Sequence, residues 1–463
     1  MSAINVNSIT GRTGTHGPVL TGVTTATNGL HVGSGVSVSG ISTFNNTVVG
    51  GATTELVVGG DARITGILTV GQGSVTISGD GISGITTAGI TTAYVTSIND
   101  LNFPTAGSLS NRNIIINGAM QVAQRGTSST TSGYGSVDRY HVQYNGETVT
   151  HSQTAITSGS PYNEGFRSIL RITNTSASSA ADSIRNSLQY IEAQNLANSG
   201  WNYASSSSYV TLSFWVRSSV EQEFYGYLRT FDGTEQGYSF SLGTLSANTW
   251  VKVTKVIPGN SNITVDNDNG TGLQVNISPF WGTNFTDAGN TLNTWGNFVS
   301  GNRTPDYTNT WASTAGATFD ITGVQLELGS KATPFEHESY GQTLAKCQRY
   351  FYAMCNAAAE GTDDVPLASG CYYATNTFYG VTHFPTTMRV KPSMTASSGS
   401  AGEFVIYRDS NSNSLTSILQ ADEGLNSSEF YANSSQNASG AQNWPGFLRA
   451  VGNTSYVFFD AEL

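Results

Sequence analysis

The aromatic residues of this chain lie almost wholly on one side of a single point. Residues 1–103 hold only Phe44, Tyr94 and Phe103, with no Trp, no Lys and 19 Gly, while the other 45 aromatic residues follow Pro104. A segment so poor in bulky side chains cannot bury a wide core by itself. It carries a repeat instead: Leu30-His31-Val32-Gly33 through Gly40-Ile41-Ser42-Thr43 returns 26 residues later as Leu56-Val57-Val58-Gly59 through Gly66-Ile67-Leu68-Thr69, and a shortened copy starts at Leu68. Gly-Ile/Val-x-Thr recurs at Gly22, Gly40, Gly66, Gly84 and Gly89. Val36/Val38, Ala62/Ile64 and Val75/Ile77 alternate between Gly-containing turns, the pattern of short strands. Such strands are covered only by neighbours, so the pattern predicts a thin β-built rod of several wound chains, a homotrimer in an economical cyclic form. A flexible Gly/Ser linker is the alternative, and Val and Ile at period two disfavour it.

The remainder follows another plan. From about Asn111 to Glu336 short apolar runs are broken by Asn, Gly, Ser and Thr clusters, which predicts an all-β sandwich. Val210, Leu212, Phe214 and Val216 alternate with Tyr209, Thr211, Ser213, Trp215 and Arg217, a strand with one buried face. Phe224 to Phe231 repeats the pattern and places Tyr225, Tyr227 and Arg229 together. Residues 180–198 suit a strand or a helix face. Ser339-x-x-Gln342 matches a capping box, with Leu344, Cys347 and Phe351 at helical spacing behind it. A second β-sandwich follows, and Val457, Phe459, Ala461 and Leu463 on one face tie the C-terminus into a sheet. The expected domains are therefore a shaft and attachment region over 1–105, a sandwich over 106–337, a helix or linker over 338–350 and a tip domain over 351–463.

Only 11% of residues are charged, against roughly 25% in typical soluble domains, and the formal charge is −11. That balance argues against a partner bound through its phosphates, so nucleic acid is not expected. No apolar run reaches the roughly 18 residues of a membrane helix, no secretory signal opens the chain, and membrane insertion is not expected. Cys347, Cys355 and Cys371 are odd in number and unpatterned, which fits a reducing compartment and buried small side chains.

Motifs for catalysis are missing or weak. Gly79-Asp80-Gly81-Ile82-Ser83-Gly84 has dinucleotide-loop spacing without the strand and helix that give it meaning. There is no phosphate loop and no hydrolase serine elbow. The six histidines, at 16, 31, 141, 151, 337 and 383, lack the spacing that puts two imidazoles on one metal. Asp266-Asn267-Asp268-Asn269-Gly270 fails as a calcium loop, because Gly falls one place early and Ile277 stands where a bidentate Glu belongs; a hairpin turn is the expectation. Structural calcium stays open, since oxygen ligands need no motif, and no other cofactor is indicated. Trp215, Tyr225 and Tyr227 with Arg217 and Arg229 form a candidate sugar shelf, C–H faces on the rings and hydroxyls on the polar groups, or else pack under a loop or a neighbouring subunit. The stretch from Phe280 to Trp311, bearing Trp281, Trp295 and Trp311, is too long for a passive connection and either contacts a partner or packs on itself.

Asn111-Arg112-Asn113-Ile114-Ile115-Ile116-Asn117-Gly118-Ala119-Met120, Gln124-Arg125-Gly126 and Asp138-Arg139-Tyr140 resemble the opening of a carbohydrate-binding-module-like jelly roll found in tailed-phage fibre proteins. Thr322-Gly323-Val324-Gln325-Leu326-Glu327-Leu328-Gly329, Ala332-Thr333-Pro334-Phe335-Glu336 and Cys347-Gln348-Arg349-Tyr350 look like its closing strand and exit, and Leu212 to Arg217 is similar to its central strand. Tyr140 stands where that family often has Trp. The Gly-Ile-x-Thr repeats resemble those of structural proteins in phages of marine cyanobacteria, and Phe384-Pro385-Thr386-Thr387-Met388-Arg389 with Asp460-Ala461-Glu462-Leu463 look like fibre-tip domains. The resemblance implies a strand for Leu188 to Glu192 and a virion tail fibre, joined to tail or baseplate proteins through its N-terminal region and presenting β-domains to host-surface glycan. It implies no enzyme. A structural spacer without ligand, in capsid or baseplate, and a polysaccharide depolymerase are the alternatives.

Overall fold

In a computed structural model of the chain, the structure describes residues 111–360, 364–398, 402–408 and 411–463. The repeats, the predicted shaft and the Gly79–Gly84 motif lie outside these residues. Everything described is dominated by antiparallel β-sheet, as the strand-length apolar runs predict.

Twelve strands build the first layer pair: β1 Ser128–Ser129, β2 His141–Asn145, β3 Val149–Ala155, β4 Ser168–Asn174, β5 Ile184–Glu192, β6 Tyr209–Ser218, β7 Gln222–Thr230, β8 Gln236–Leu245, β9 Val251–Pro258, β10 Thr271–Trp281, β11 Trp295–Asn297 and β12 Thr318–Leu328. They form two six-stranded sheets, ordered β1-β3-β4-β12-β6-β9 and β11-β8-β7-β10-β5-β2. Apart from the β3–β4 and β7–β8 pairs, neighbouring strands in each sheet are not consecutive in sequence, which gives a sandwich of jelly-roll type. The alternation of β6 holds: Val210, Leu212, Phe214 and Val216 are all fully buried between the sheets. Phe224 of β7 meets Phe319 of β12 across the core at 5.0 Å. Each such fully buried side chain contributes roughly 1.5–3 kcal/mol of transfer free energy. Residues 180–198 resolve into both expected forms, with Ile184–Glu192 as strand and Ala193–Ala197 as a short helix. Gly323 sits at a bulge in β12 with φ +65°, where a Cβ would lie 2.7 Å from the Phe166 ring; a side chain there is excluded by both backbone and packing.

The helix Tyr340–Gln348 starts at Ser339 with both halves of the capping box formed. Beyond it come β13 Phe351–Asn356, β14 Val365–Ala374, β15 Thr377–His383, β16 Ser393–Ala396, β17 Phe404–Arg408, β18 Asn411–Leu415, β19 Leu419–Glu423, β20 Ser427–Ala432, β21 Pro445–Ala450 and β22 Tyr456–Asp460. A seven-stranded sheet, β18-β17-β21-β14-β15-β20-β19, packs one face on a three-stranded sheet, β13-β22-β16. The C-terminal strand is the middle of the smaller sheet, with Val457 and Phe459 fully buried. Cys347 and Cys355 are buried as expected, but Cys371 is exposed, because its position in β14 alternates with the inward Tyr372.

The motifs that carry the resemblance meet at the junction of the two β-domains. Arg139, 1% exposed, stacks on Tyr350 at 3.5 Å, donates to the Tyr190 carbonyl at 2.7 Å and pairs with Glu462. Arg125 lies 3.4 Å over Phe351 and reaches Asp460 at 3.0 Å. Gln124 donates to the Phe351 carbonyl at 2.8 Å, and Arg349 grips Glu192 with two 2.8 Å bonds. Tyr140 is buried in the sandwich core beside them.

Asp138 accepts two bonds from Gln124 at this junction, yet burial pushes its carboxyl up to about 6, against the pull of Arg125 and those bonds. The folded value exceeds the unfolded one near ~4, so the fold takes up a proton that the unfolded chain does not. The associated stability is present below that unfolded value and is lost as pH rises through about 6. We expect Asp138→Asn to remove about 2–3 kcal/mol of this pH dependence, measured as the difference between urea unfolding free energies at acidic and neutral pH in the two proteins.

Candidate functional site

The structure divides the five predicted shelf residues between opposite faces of the sandwich. Trp215 and Arg217 lie on β6 in one sheet, and Tyr225, Tyr227 and Arg229 lie on β7 in the other. Both groups point away from the core as the alternation required, but the two outer faces look in opposite directions, so no single shelf forms. Trp215 is 9% exposed, its indole donating to Glu164 at 3.0 Å. Arg217 and Arg171 together hold the buried Asp320 carboxylate, at 2.6 and 2.8 Å. Arg229 is engaged by Glu235 at 2.7 Å. These arginines neutralise carboxylates, so their donors are already spent.

The outer face of β7 is roofed by the long segment after β10. Tyr307 from that segment donates to the carbonyls of Tyr225 at 3.3 Å and Ser278 at 3.1 Å. Trp281, Trp295 and Trp311 are buried within their own chain, at 1%, 8% and 0% exposure. Their indole N–H groups donate to Ser278 Oγ, the Pro258 carbonyl and the Thr318 carbonyl. Buried indoles need such partners, and with them satisfied the three rings anchor the loop rather than face solvent. Burial also pushes the Tyr225 and Tyr227 phenols up, so both stay neutral donors.

Where the roof meets the β8 edge a cleft of about 320 Å³ remains, lined by Tyr227, Ser239, Asn290, Phe298, Asn302 and Arg303 among others. Phe298 lies near-parallel to Tyr227, 6.3 Å away at 25°, with the Arg229 guanidinium 4.0 Å from its ring. Arg303 stacks on Trp281 at 4.5 Å and donates one bond to Ser300 at 2.9 Å, while its Nε and Nη1 have no protein partner. The Asn290 amide donates to Asn302 at 2.7 Å and leaves its Oδ1 unpaired. Burial lowers the affinity of Arg303 for its proton, but guanidinium retains it at any ordinary pH. The cleft therefore sets hydroxyl, amide and guanidinium side chains beside aromatic carbon. The unpaired Arg303 and Asn290 atoms are themselves buried beneath the cleft surface, and leaving such groups unpaired costs about 1–3 kcal/mol each.

Arg303, Asn290 and Phe298 were not singled out by the sequence. One signal pointed there: Arg303 is the one cation between Trp281 and Trp311, and a lone guanidinium among aromatic residues tends to stack on them. Asp266–Gly270 is the turn into β10, where Asp268 accepts from the Gly270 N–H at 2.8 Å. Among the described residues no group of three or more His, Cys, Asp or Glu is placed to hold a metal, and no helix is long and apolar enough to cross a membrane.

No protein-family model matches the chain, and no curated protein does. Solved structures do, at low identity. The enzymatically active domain of bacteriophage CBA120 tailspike protein 4 is 13% identical, with a TM-score of 0.25, over 47% of this chain and 21% of that one. A putative sugar binding protein from Bacteroides thetaiotaomicron is 8% identical, with a TM-score of 0.27, over 47% of this chain and all of that one. The family 11 carbohydrate-binding module from Clostridium thermocellum, in complex with a mixed-linked tetrasaccharide, is 11% identical, with a TM-score of 0.21, over 45% of this chain and 98% of that one.

Proposed function

We propose that the chain is a non-enzymatic fibre protein of a tailed-phage virion that binds host-surface glycan in the cleft beneath the 282–317 roof. The carrying observation is the lining of that cleft, where Ser239, Asn290, Asn302 and Arg303 stand beside the Phe298 and Tyr227 rings. Sugar hydroxyls complete such groups while ring C–H faces cover aromatic carbon. The motifs of the sandwich and the aromatic-poor repeats support the fibre part of the reading, with several chains wound together and the N-terminal region joined to other tail or baseplate proteins. Weak sites repeated across copies gain avidity through effective concentration. A spacer without ligand is the second reading, favoured by the burial of all three loop tryptophans.

The test is binding of labelled full-length protein to host cells and their extracted polysaccharide. Phe298→Ala is expected to weaken binding about tenfold or more, the equivalent of about 1.4 kcal/mol. Trp215→Ala, on the opposite face, is expected to leave affinity within about twofold, since distant sites act independently. No saturable binding by the wild-type chain favours the spacer, and loss of polymer viscosity favours a depolymerase.

A further inference from the structure

The charge of the cleft runs against that of the chain. Acidic side chains outnumber basic ones by 31 to 20, yet among the described residues no Asp or Glu lines the cleft under the roof. Its lining is otherwise neutral, and the one cation in it is Arg303. The other guanidinium at this site, Arg229, is neutralised by Glu235 at 2.7 Å. Among the described residues no carboxylate pairs with Arg303. The acids nearest to it in sequence are engaged elsewhere, Asp287 by the Gly289 N–H at 2.8 Å and Asp306 by the Thr286 hydroxyl.

A half-buried guanidinium is ordinarily satisfied from its own chain. Arg139, Arg171, Arg217 and Arg349 meet carboxylates. Arg167, Arg185 and Arg389 form no ion pair among the described residues, but each donates to at least two backbone carbonyls. Arg303 has neither kind of partner. Its side chain makes a single bond, from Nη2 to the Ser300 hydroxyl at 2.9 Å, and that bond is exposed. Three rings fix the group in place, its central carbon standing 4.5 Å from the ring centre of Trp281, 4.8 Å from Phe285 and 5.8 Å from Phe298. Stacking orients a guanidinium but supplies no counter-charge. Nε and Nη1 are sealed beneath the surface, so the charge is approached from the Nη2 end.

We propose that the glycan taken by this cleft is acidic, a sugar stacked on Phe298 with its carboxylate or sulfate group against the Nη2 edge of Arg303. The proposal rests on the reading of the cleft as a glycan site and names its substrate class. An anion there supplies the missing counter-charge to a group surrounded by aromatic carbon, where a charge-assisted bond is stronger than in water. With a formal charge of −11 the chain as a whole repels acidic polymers, so attraction to them requires a local positive site.

The probe is extracted host polysaccharide in three forms: native, with its carboxyl groups reduced to alcohols, and desulfated. Each is titrated against full-length protein at about 50 and about 500 mM salt, with thermal unfolding of every variant alongside. The expected result is a loss of affinity of about tenfold or more on one of the two neutralisations, the size of effect a charged hydrogen bond carries, and weaker binding of the native form at high salt. Arg303→Gln is expected to bind the native polymer as weakly as the wild type binds the neutralised one, with Arg303→Lys between them. Equal affinity of the wild type for all three forms overturns the acidic class, and leaves the glycan site standing where Phe298→Ala still weakens binding. Salt-sensitive binding that a folded Arg303→Gln protein retains in full places the anion contact elsewhere and overturns the proposal. Should Arg303→Gln fail to fold, the three forms titrated against the wild type and Arg303→Lys decide the matter. No binding of any form by the wild type overturns the glycan reading together with the proposal.

Discussion

Glu462→Ala is expected to destabilise the chain by about 3–5 kcal/mol, the cost of removing one partner from a buried ion pair. Glu462 faces Arg139 and Arg125, whose side chains are 1% and 9% exposed. Without it Arg139 keeps the Tyr190 carbonyl and the Tyr350 ring but loses its counter-charge in a site closed to water. Arg125 retains Asp460 at the more exposed rim and is affected less. Replacing both members, Arg139→Met with Glu462→Leu, is expected to cost far less, because no charge is stranded. Guanidinium unfolding of the wild type, Arg139→Met, Glu462→Leu and the double variant measures the coupling. A cost under about 1 kcal/mol for Glu462→Ala would show that the junction does not depend on this pair.

Trp281→Ala is expected to cost a similar 3–5 kcal/mol, roughly the range for a large aromatic residue cut back in a core, and to abolish glycan binding as well. Its ring, 1% exposed, packs on Phe285 at 5.4 Å and Tyr227 at 6.1 Å and is the floor on which Arg303 stacks. Removing it leaves a cavity and releases the guanidinium from the cleft. Trp281→Phe keeps a ring and is expected to retain part of both properties. Thermal unfolding and polysaccharide binding are measured together. Full binding by a folded Trp281→Ala protein would place the glycan site elsewhere.

Much of the fold was legible locally. Alternation fixed the buried face of β6, the capping box located the helix at Ser339, and the period of Val457, Phe459 and Ala461 put the last strand in a sheet, because each signal depends on neighbours within a few residues. The strand-to-helix change at Glu192 was open, since Ile184, Leu188 and Ile191 suit a helix face within a segment that also reads as a strand.

The site was less legible. Sequence alone determined that Trp215 and Tyr227 point away from the core, because side-chain direction follows strand parity. Parity does not say which sheet a strand joins, and the jelly-roll crossover sent β6 and β7 to opposite sheets despite the three-residue link between Ser218 and Gln222. Whether an outward ring is open or roofed was likewise decided by a loop that returns more than fifty residues later. The polar groups of the cleft converge from β8 and from two separate turns of that loop, and the junction joins Arg139 to Glu462 across 323 residues. Contacts at such separation are set by topology and packing, and no local pattern in the chain encodes them.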